Sequence, residues 1–440
     1  EDAVFFIRQV LYLFKKLKVN CPEAATVAAL EDFHRIDRSL RRPTLPWVDG
    51  PTEFIRELRS GRSISFYNSY RSEIVEGGLF PECGNYEHHA LGKALMVLDR
   101  VCQLLISKLP AVQTEDLYPR HGPGAVSDLK AGADKYQFPI WPSRLDYFFD
   151  VGYFSSYNEE AFHHYSALEA CGRREPMGRI LAVPKTYKGP RLITAEPTAL
   201  QYTQQSILGW LRRNLPHPLS QCLNFRDQTA SREAALSASL HGNQATVDLS
   251  SASDRLSLWT VERVFRYSEI LPYLYGTRCL WVTNGTGLET SFSGPLLLRK
   301  YAGQGNATTF PVQSIVYSAV CIAAVLAHNG WKPNGRNIHR AAGSVRVFGD
   351  DLIVPASVVP TLDLILKFLE LKINVSKTHM SGKFRESCGM DAYNGADVTP
   401  LYLSNLSPGN SADTQASWID VCNNAHAKGL WELSSWMEQQ

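Results

Sequence analysis

Short apolar runs closed by polar turn residues alternate in this chain with stretches whose apolar positions recur every three or four residues, a mixture that predicts an α+β fold. Val345-Arg346-Val347-Phe348 and Asp351-Leu352-Ile353-Val354 flank Gly349-Asp350, which predicts a hairpin with a two-residue turn and a positive φ at Gly349. Ala245-Thr246-Val247 predicts a strand ending at Asp248. Leu249-Ser250-Ser251-Ala252-Ser253-Asp254 follows, ahead of a helical pattern at Leu256, Trp259 and Val264. Residues 312–326 read as a buried helix behind the small, polar loop Ala302-Gly303-Gln304-Gly305-Asn306-Ala307-Thr308-Thr309-Phe310. Residues 360–371 predict another helix, with Pro360 in its first turn and Leu362, Ile365, Leu366 and Leu369 on the face packed beneath a sheet. Asn284-Gly285 predicts a tight hairpin. Residues 5–14, interrupted by Arg8 and followed by Lys15, Lys16 and Lys18, read as an amphipathic helix.

Composition adds little beyond a large globular enzyme: 440 residues, 44% hydrophobic and 20% charged. The net charge of +2 hides local clusters, so partners must be sought in segments. The apolar stretch at residues 317–327 is too short to span a bilayer, which argues against a membrane protein. Nine cysteines without a CxxC pair favour a reducing compartment over a zinc site.

The candidate chemistry lies in the acids. Adjacent carboxylates at a hairpin tip repel one another unless a cation shares them, and hard oxygen donors suit Mg²⁺ or Mn²⁺. If the strand ending at Asp248 lies beside the hairpin, Asp248 and Asp350 can hold two ions about 4 Å apart, with Asp351 as an auxiliary ligand. Glycines in the 302–310 loop allow close approach of backbone to a nucleotide. Residues 173–191 carry Arg173, Arg174, Arg179, Lys185, Lys188 and Arg191 against one acid, Glu175. This segment is either a solvated hairpin or a cover for a triphosphate. Arg35, Arg38, Arg41 and Arg42 form a second basic run, either a solvated face or an RNA contact.

Seven segments appear in an order that resembles the RNA-directed RNA polymerases of single-stranded RNA bacteriophages, the levivirus or Q-beta type of replicase catalytic subunit. They are His121-Gly122-Pro123-Gly124-Ala125, Val183-Pro184-Lys185-Thr186-Tyr187-Lys188, Asp227-Gln228, Asp248-Leu249-Ser250-Ser251-Ala252-Ser253-Asp254 with Gly305-Asn306, Phe348-Gly349-Asp350-Asp351, and Phe384-Arg385-Glu386-Ser387-Cys388-Gly389. Phe348 stands where Tyr is usual in the family, and Gln313 where many other viral polymerases place a sugar-reading Asn.

The resemblance implies a right-hand polymerase with a ferredoxin-like antiparallel palm sheet packed on helices. Residues 1–117 become an N-terminal helical region with part of the fingers, 118–242 fingers with the nucleotide-entry motif, 243–390 palm and 391–440 a partial thumb. It implies Lys185, Lys188 and Arg191 as triphosphate ligands, Asp254, Gly305 and Asn306 at the ribose, and Lys377 as the acid that protonates pyrophosphate. Arg385 and Glu386 would form an ion pair or a primer contact. The implied partners are RNA template, nascent RNA, NTPs, host translation elongation factors and a ribosomal protein, in the cytoplasm of an infected bacterium. A reverse transcriptase shares the double-Asp hairpin, but the small Ser250-Ser251-Ala252-Ser253 run stands where it would place a bulky residue. An inactive RNA-binding scaffold would not need Asp248 and Asp350. Glu1 in place of an initiating Met points to a chain trimmed at its ends.

Overall fold

A computed structural model describes residues 1–17, 21–61, 64–75, 85–155, 174–186, 189–292 and 294–440. Its centre is the Thr309–His328 helix, whose residues from Pro311 to Leu326 are all buried. No single face of this helix is polar, so it is stable only when surrounded. It packs against the Asn85–Ile106 and Val359–Phe368 helices and against two strands of a small sheet. At 20 residues it is long and apolar enough to cross a membrane, contrary to the reading from the shorter apolar run, yet it forms the interior of the protein.

The small sheet carries the acids. Its three strands are β3 (Gln244–Asp248), β6 (Arg346–Phe348) and β7 (Asp351–Pro355), in the order β3-β7-β6 and all antiparallel. Residues 373–379 bridge the free side of β3 through Leu249–Ile373 and Thr246–His379, and Leu223 bridges Val347 of β6. The helix predicted after β7 is Val359–Phe368. It packs on the Thr309–His328 helix, one layer away from the sheet it was expected to support.

A second sheet has the order β2-β1-β4-β5, comprising β1 (Met177–Thr186), β2 (Gly189–Ala195), β4 (Trp281–Asn284) and β5 (Leu296–Leu297). Here the tight-hairpin expectation fails. Asn284 does form a turn, accepting from the Thr286 amide at 3.0 Å, but β4 pairs in parallel with β1 and meets β5 only after a longer excursion. Local turn chemistry was satisfied without deciding which strand came next.

A third sheet, β10-β9-β8, joins β8 (Phe384–Ser387), β9 (Met390–Tyr393) and β10 (Ala396–Asp397). The Ala412–Ala427 and Trp431–Glu438 helices follow and enclose a minor core of Leu403, Trp418, Cys422 and Met437. The first helix, Asp2–Tyr12, docks on this C-terminal region with its polar side inward. Arg8 pairs with Asp391, the Gln9 carboxamide oxygen accepts from the Leu401 amide at 2.7 Å, and the Leu13 carbonyl accepts from Leu403. Its apolar residues Phe6, Ile7, Val10 and Leu11 face outward, the reverse of an ordinary amphipathic helix.

Candidate active site

The hairpin turn forms as predicted. Gly349 has φ +64° and Phe348 pairs with Asp351, leaving Gly349-Asp350 as the two-residue turn. Phe310 lies against this turn, where a Cβ on Gly349 would come within 3.0 Å of its ring, and it meets Phe348 edge to face at 4.9 Å. The Gly349 amide donates to Ser314 Oγ at 3.1 Å, which fastens the turn to the central helix.

The strand register brings the acids together, with Asp248 directly opposite Asp351. Asp248 and the exposed Asp350 line a cleft of about 690 Å³, together with Lys185, Arg191, Asp254, Gly305, Asn306 and Lys377. Asp351 does not line it. Instead its Oδ2 accepts from the Cys388 amide at 3.1 Å, at the turn between β8 and β9. Asp351 is pushed up to about 6, by burial first and then by the charge of Asp350. Asp248 is also raised, again chiefly by burial. It is opposed by Lys377, whose Nζ lies 3.7 Å from Oδ1, and by Asn374, whose Nδ2 donates to Oδ2 at 2.8 Å.

Among the described residues, no three His, Cys, Asp or Glu side chains converge closely enough to cage a metal ion. The donor set still fits Mg²⁺, which is commonly held by one or two carboxylates with water and substrate phosphates completing its shell. Asp248 and Asp350 face the same cleft, and the exposed lysines Lys377 and Lys185 offset their mutual repulsion.

Cations face these acids across the cleft. β1 and β2 form an antiparallel hairpin in which Arg191 lies opposite Val183. Lys185 is shifted below its ordinary value by desolvation and then by Arg191 and Lys377, while Asp350 and Asp248 pull it back up. Lys188 lies outside the described residues.

The glycine loop also answers to a packing requirement that the sequence did not reveal. Gly305 adopts φ +118°, and a Cβ there would sit 2.1 Å from the Thr194 carbonyl oxygen; one on Gly303 would sit 2.1 Å from Thr194 Oγ1. These glycines first allow the loop to close on β2. Asn306 is committed internally, its Oδ1 accepting from the Thr308 amide at 2.8 Å and its Nδ2 donating to Glu196 Oε2 at 3.2 Å. Asp254 is bound by Lys300 at 3.0 Å, and that fully buried ammonium also sits 3.3 Å from the Phe33 ring centre. Asp254 belongs to the short Ala252–Arg255 helix, which precedes the Leu258–Phe265 helix and is entered through Ser251 at φ +51°.

Lys300, Glu196 and Asn374 were not singled out from the sequence. No local pattern marks them, because their partners lie 46, 110 and 126 residues away. The expected Arg385–Glu386 ion pair does not form. Arg385 is fully buried and donates to the carbonyls of Gln244, Gly382 and Phe384, so it braces the β8–β9 hairpin and is closed to a primer strand.

Residues 162–426 match the family described as RNA replicase, beta-chain, and the chain belongs to that family. It is 31% identical over 267 residues to the RNA-directed RNA polymerase subunit beta of Escherichia virus Qbeta, covering 58% of this chain and 40% of that protein. The RNA-directed RNA polymerase beta chains of Enterobacteria phage fr and Escherichia phage MS2 are each 31% identical, over 230 and 228 residues, covering 51% of this chain and 37% of each relative. The matched segment thus spans about two fifths of these relatives' length.

Proposed function

We propose that the chain is the catalytic part of a right-hand RNA-directed RNA polymerase, which extends RNA from ribonucleoside triphosphates on a single-stranded RNA template. One observation carries the reading: a single cleft sets Asp248 and Asp350 against Lys185, Arg191 and Lys377, with the glycine loop between. The β3-β7-β6 sheet is then the palm, and the β1–β2 hairpin the nucleotide-entry element of the fingers.

Asp248 and Asp350 would hold the two Mg²⁺ or Mn²⁺ ions, with Asp351 supporting from outside the cleft. When bound, such ions activate a 3′-hydroxyl and neutralise charge on the departing pyrophosphate. Lys185 and Arg191 receive the triphosphate from the opposite wall by charge-assisted hydrogen bonds. Lys377, held near Asp248, is placed to give a proton to the pyrophosphate oxygen. Asn374 fixes one Asp248 oxygen and leaves the other toward the cleft cations. Asp254 and Asn306 meet the ribose through a wall whose shape Lys300 and Glu196 set.

The relatives' beta-chain names extend the proposal to an assembly, with host elongation factors and a ribosomal protein as its other members in the cytoplasm of an infected bacterium. The deciding experiment is incorporation on a primed single-stranded RNA with Mg²⁺, offering NTPs and dNTPs separately. Incorporation of NTPs alone supports the reading; equal or preferred use of dNTPs indicates a reverse transcriptase, and none with either defeats it.

A further inference from the structure

A second concavity, of about 330 Å³, opens beyond the C-terminal end of the Glu23–Ser39 helix. Arg38, Arg42, Arg278 and Arg299 line it, and none of its lining residues is acidic. Their charges are poorly compensated. Arg299 donates to the carbonyls of Arg38 at 2.5 Å and Leu40 at 3.2 Å. Arg278, almost wholly buried, donates to the carbonyls of Tyr301, Leu298 and Lys300, while its Nη1 has no hydrogen-bond partner among the described residues. Arg38 bonds Asp37 and the Leu297 carbonyl, and its buried Nε has no hydrogen-bond partner among the described residues. Arg42 is exposed and has no side-chain partner among the described residues.

The nearby acids are already engaged. Asp37 binds Arg38 and the backbone amides of Arg299 and Lys300. Glu262 accepts from the Thr44 and Leu45 amides and the Trp47 indole. Two acids thus stand beside four guanidinium groups, both spent largely on backbone amides, and Asp37 and Glu370 offset only part of the repulsion on Arg299. Carbonyl oxygens solvate a guanidinium without neutralising it, so the groups repel. Arg299 is accordingly held below its ordinary value, by burial and then by Arg38 and Arg42. A cluster of this composition is complementary to a ligand with several negative oxygens, and the planar fork of arginine matches phosphate geometry.

We propose that this pocket binds a phosphate group, supplied either by a free nucleotide or by an RNA backbone. The inference stands whatever reaction the cleft performs. Arg42 is the residue to change, because its side chain holds no other part of the protein in place. Calorimetry with inorganic tripolyphosphate and anisotropy titration of a short oligoribonucleotide across a salt series would be run on the full chain, Arg42→Glu, Arg42→Ala and the cleft variant Lys185→Ala.

If the phosphate comes from an RNA backbone, Arg42→Glu weakens the oligoribonucleotide roughly tenfold at low salt, and its slope of log affinity against log salt falls by about 0.7 for each phosphate that is no longer neutralised. If it comes from a free nucleotide, oligoribonucleotide binding is unchanged, and calorimetry loses one class of tripolyphosphate site in Arg42→Glu that persists in Lys185→Ala. The proposal is overturned if neither probe distinguishes Arg42→Glu or Arg42→Ala from the parent chain.

Discussion

Asp254 and Lys300 show how much of a site's chemistry can be committed to holding itself together. The ammonium is fully buried and, among the described residues, its one ionised partner is Asp254, whose carboxylate retains partial exposure. Asp254→Ala therefore strands a buried charge and should destabilise the chain by roughly 3 kcal/mol. Lys300→Met leaves a solvated carboxylate and should cost less. The double variant should recover much of the loss in a denaturant titration without restoring any preference for NTP over dNTP that Asp254 provides. At the other end of the cleft, Asp350→Asn and Asp248→Asn should each lower nucleotide incorporation by about a thousandfold while RNA affinity stays within about threefold, because phosphate contacts elsewhere dominate binding. Near-normal incorporation by either variant at saturating Mg²⁺ and NTP would remove these carboxylates from the reaction. The aspartates were legible because each ends an apolar run at a turn, a purely local signal. Lys300, Glu196 and Asn374 were not, since only the assembled fold brings them to their partners.

At the level of elements, the acid-bearing hairpin was readable from its turn, and the strand of Asp248 lies beside it as a shared site required, whereas the other long-range pairings were not legible. Gly349 announced the acid-bearing turn through the positive φ that its position requires. Asn284-Gly285 carried an equally strong turn signal, yet the strand before it joins β1 in parallel. The glycine loop was read as room for a nucleotide to approach, and its nearest neighbour within the protein is Thr194. Gly305→Ala should consequently act on the joint between loop and hairpin. The new methyl cannot fit 2.1 Å from the Thr194 oxygen, so the loop must move off β2. The expected result is a lower melting temperature and at least a tenfold higher NTP requirement, with RNA affinity changed much less. A normal NTP requirement in steady-state kinetics would show that this joint does not shape the cleft. Gly349→Ala, confined to a positive φ beside Phe310, should cost about 1–2 kcal/mol by the same kind of titration.

Across the whole molecule, two buried carboxyls make stability depend on pH in an unusual direction. Burial raises both Glu196 and Glu262 to about 7 from an ordinary value of 4.5. A raised acid favours the folded state most below its unfolded value, and that contribution fades as pH rises through about 7. Each is worth up to about 3 kcal/mol over this window. Relative to Glu196→Gln, the parent chain should therefore lose stability between pH 5 and pH 8 in denaturant titrations at fixed ionic strength. A constant difference would mean that Glu196 is not protonated in the folded protein. A further consequence follows from the docking of the first helix on the C-terminal region, where Arg8 meets Asp391 across 383 residues of sequence. At a synthesis rate of about 5–20 residues per second, the ribosome needs roughly 20–80 s to deliver the second partner after the first. Throughout that interval the nascent helix has neither its ionic anchor nor its seat. The helix can take its seat only after the region around Asp391 to Leu403 has been made.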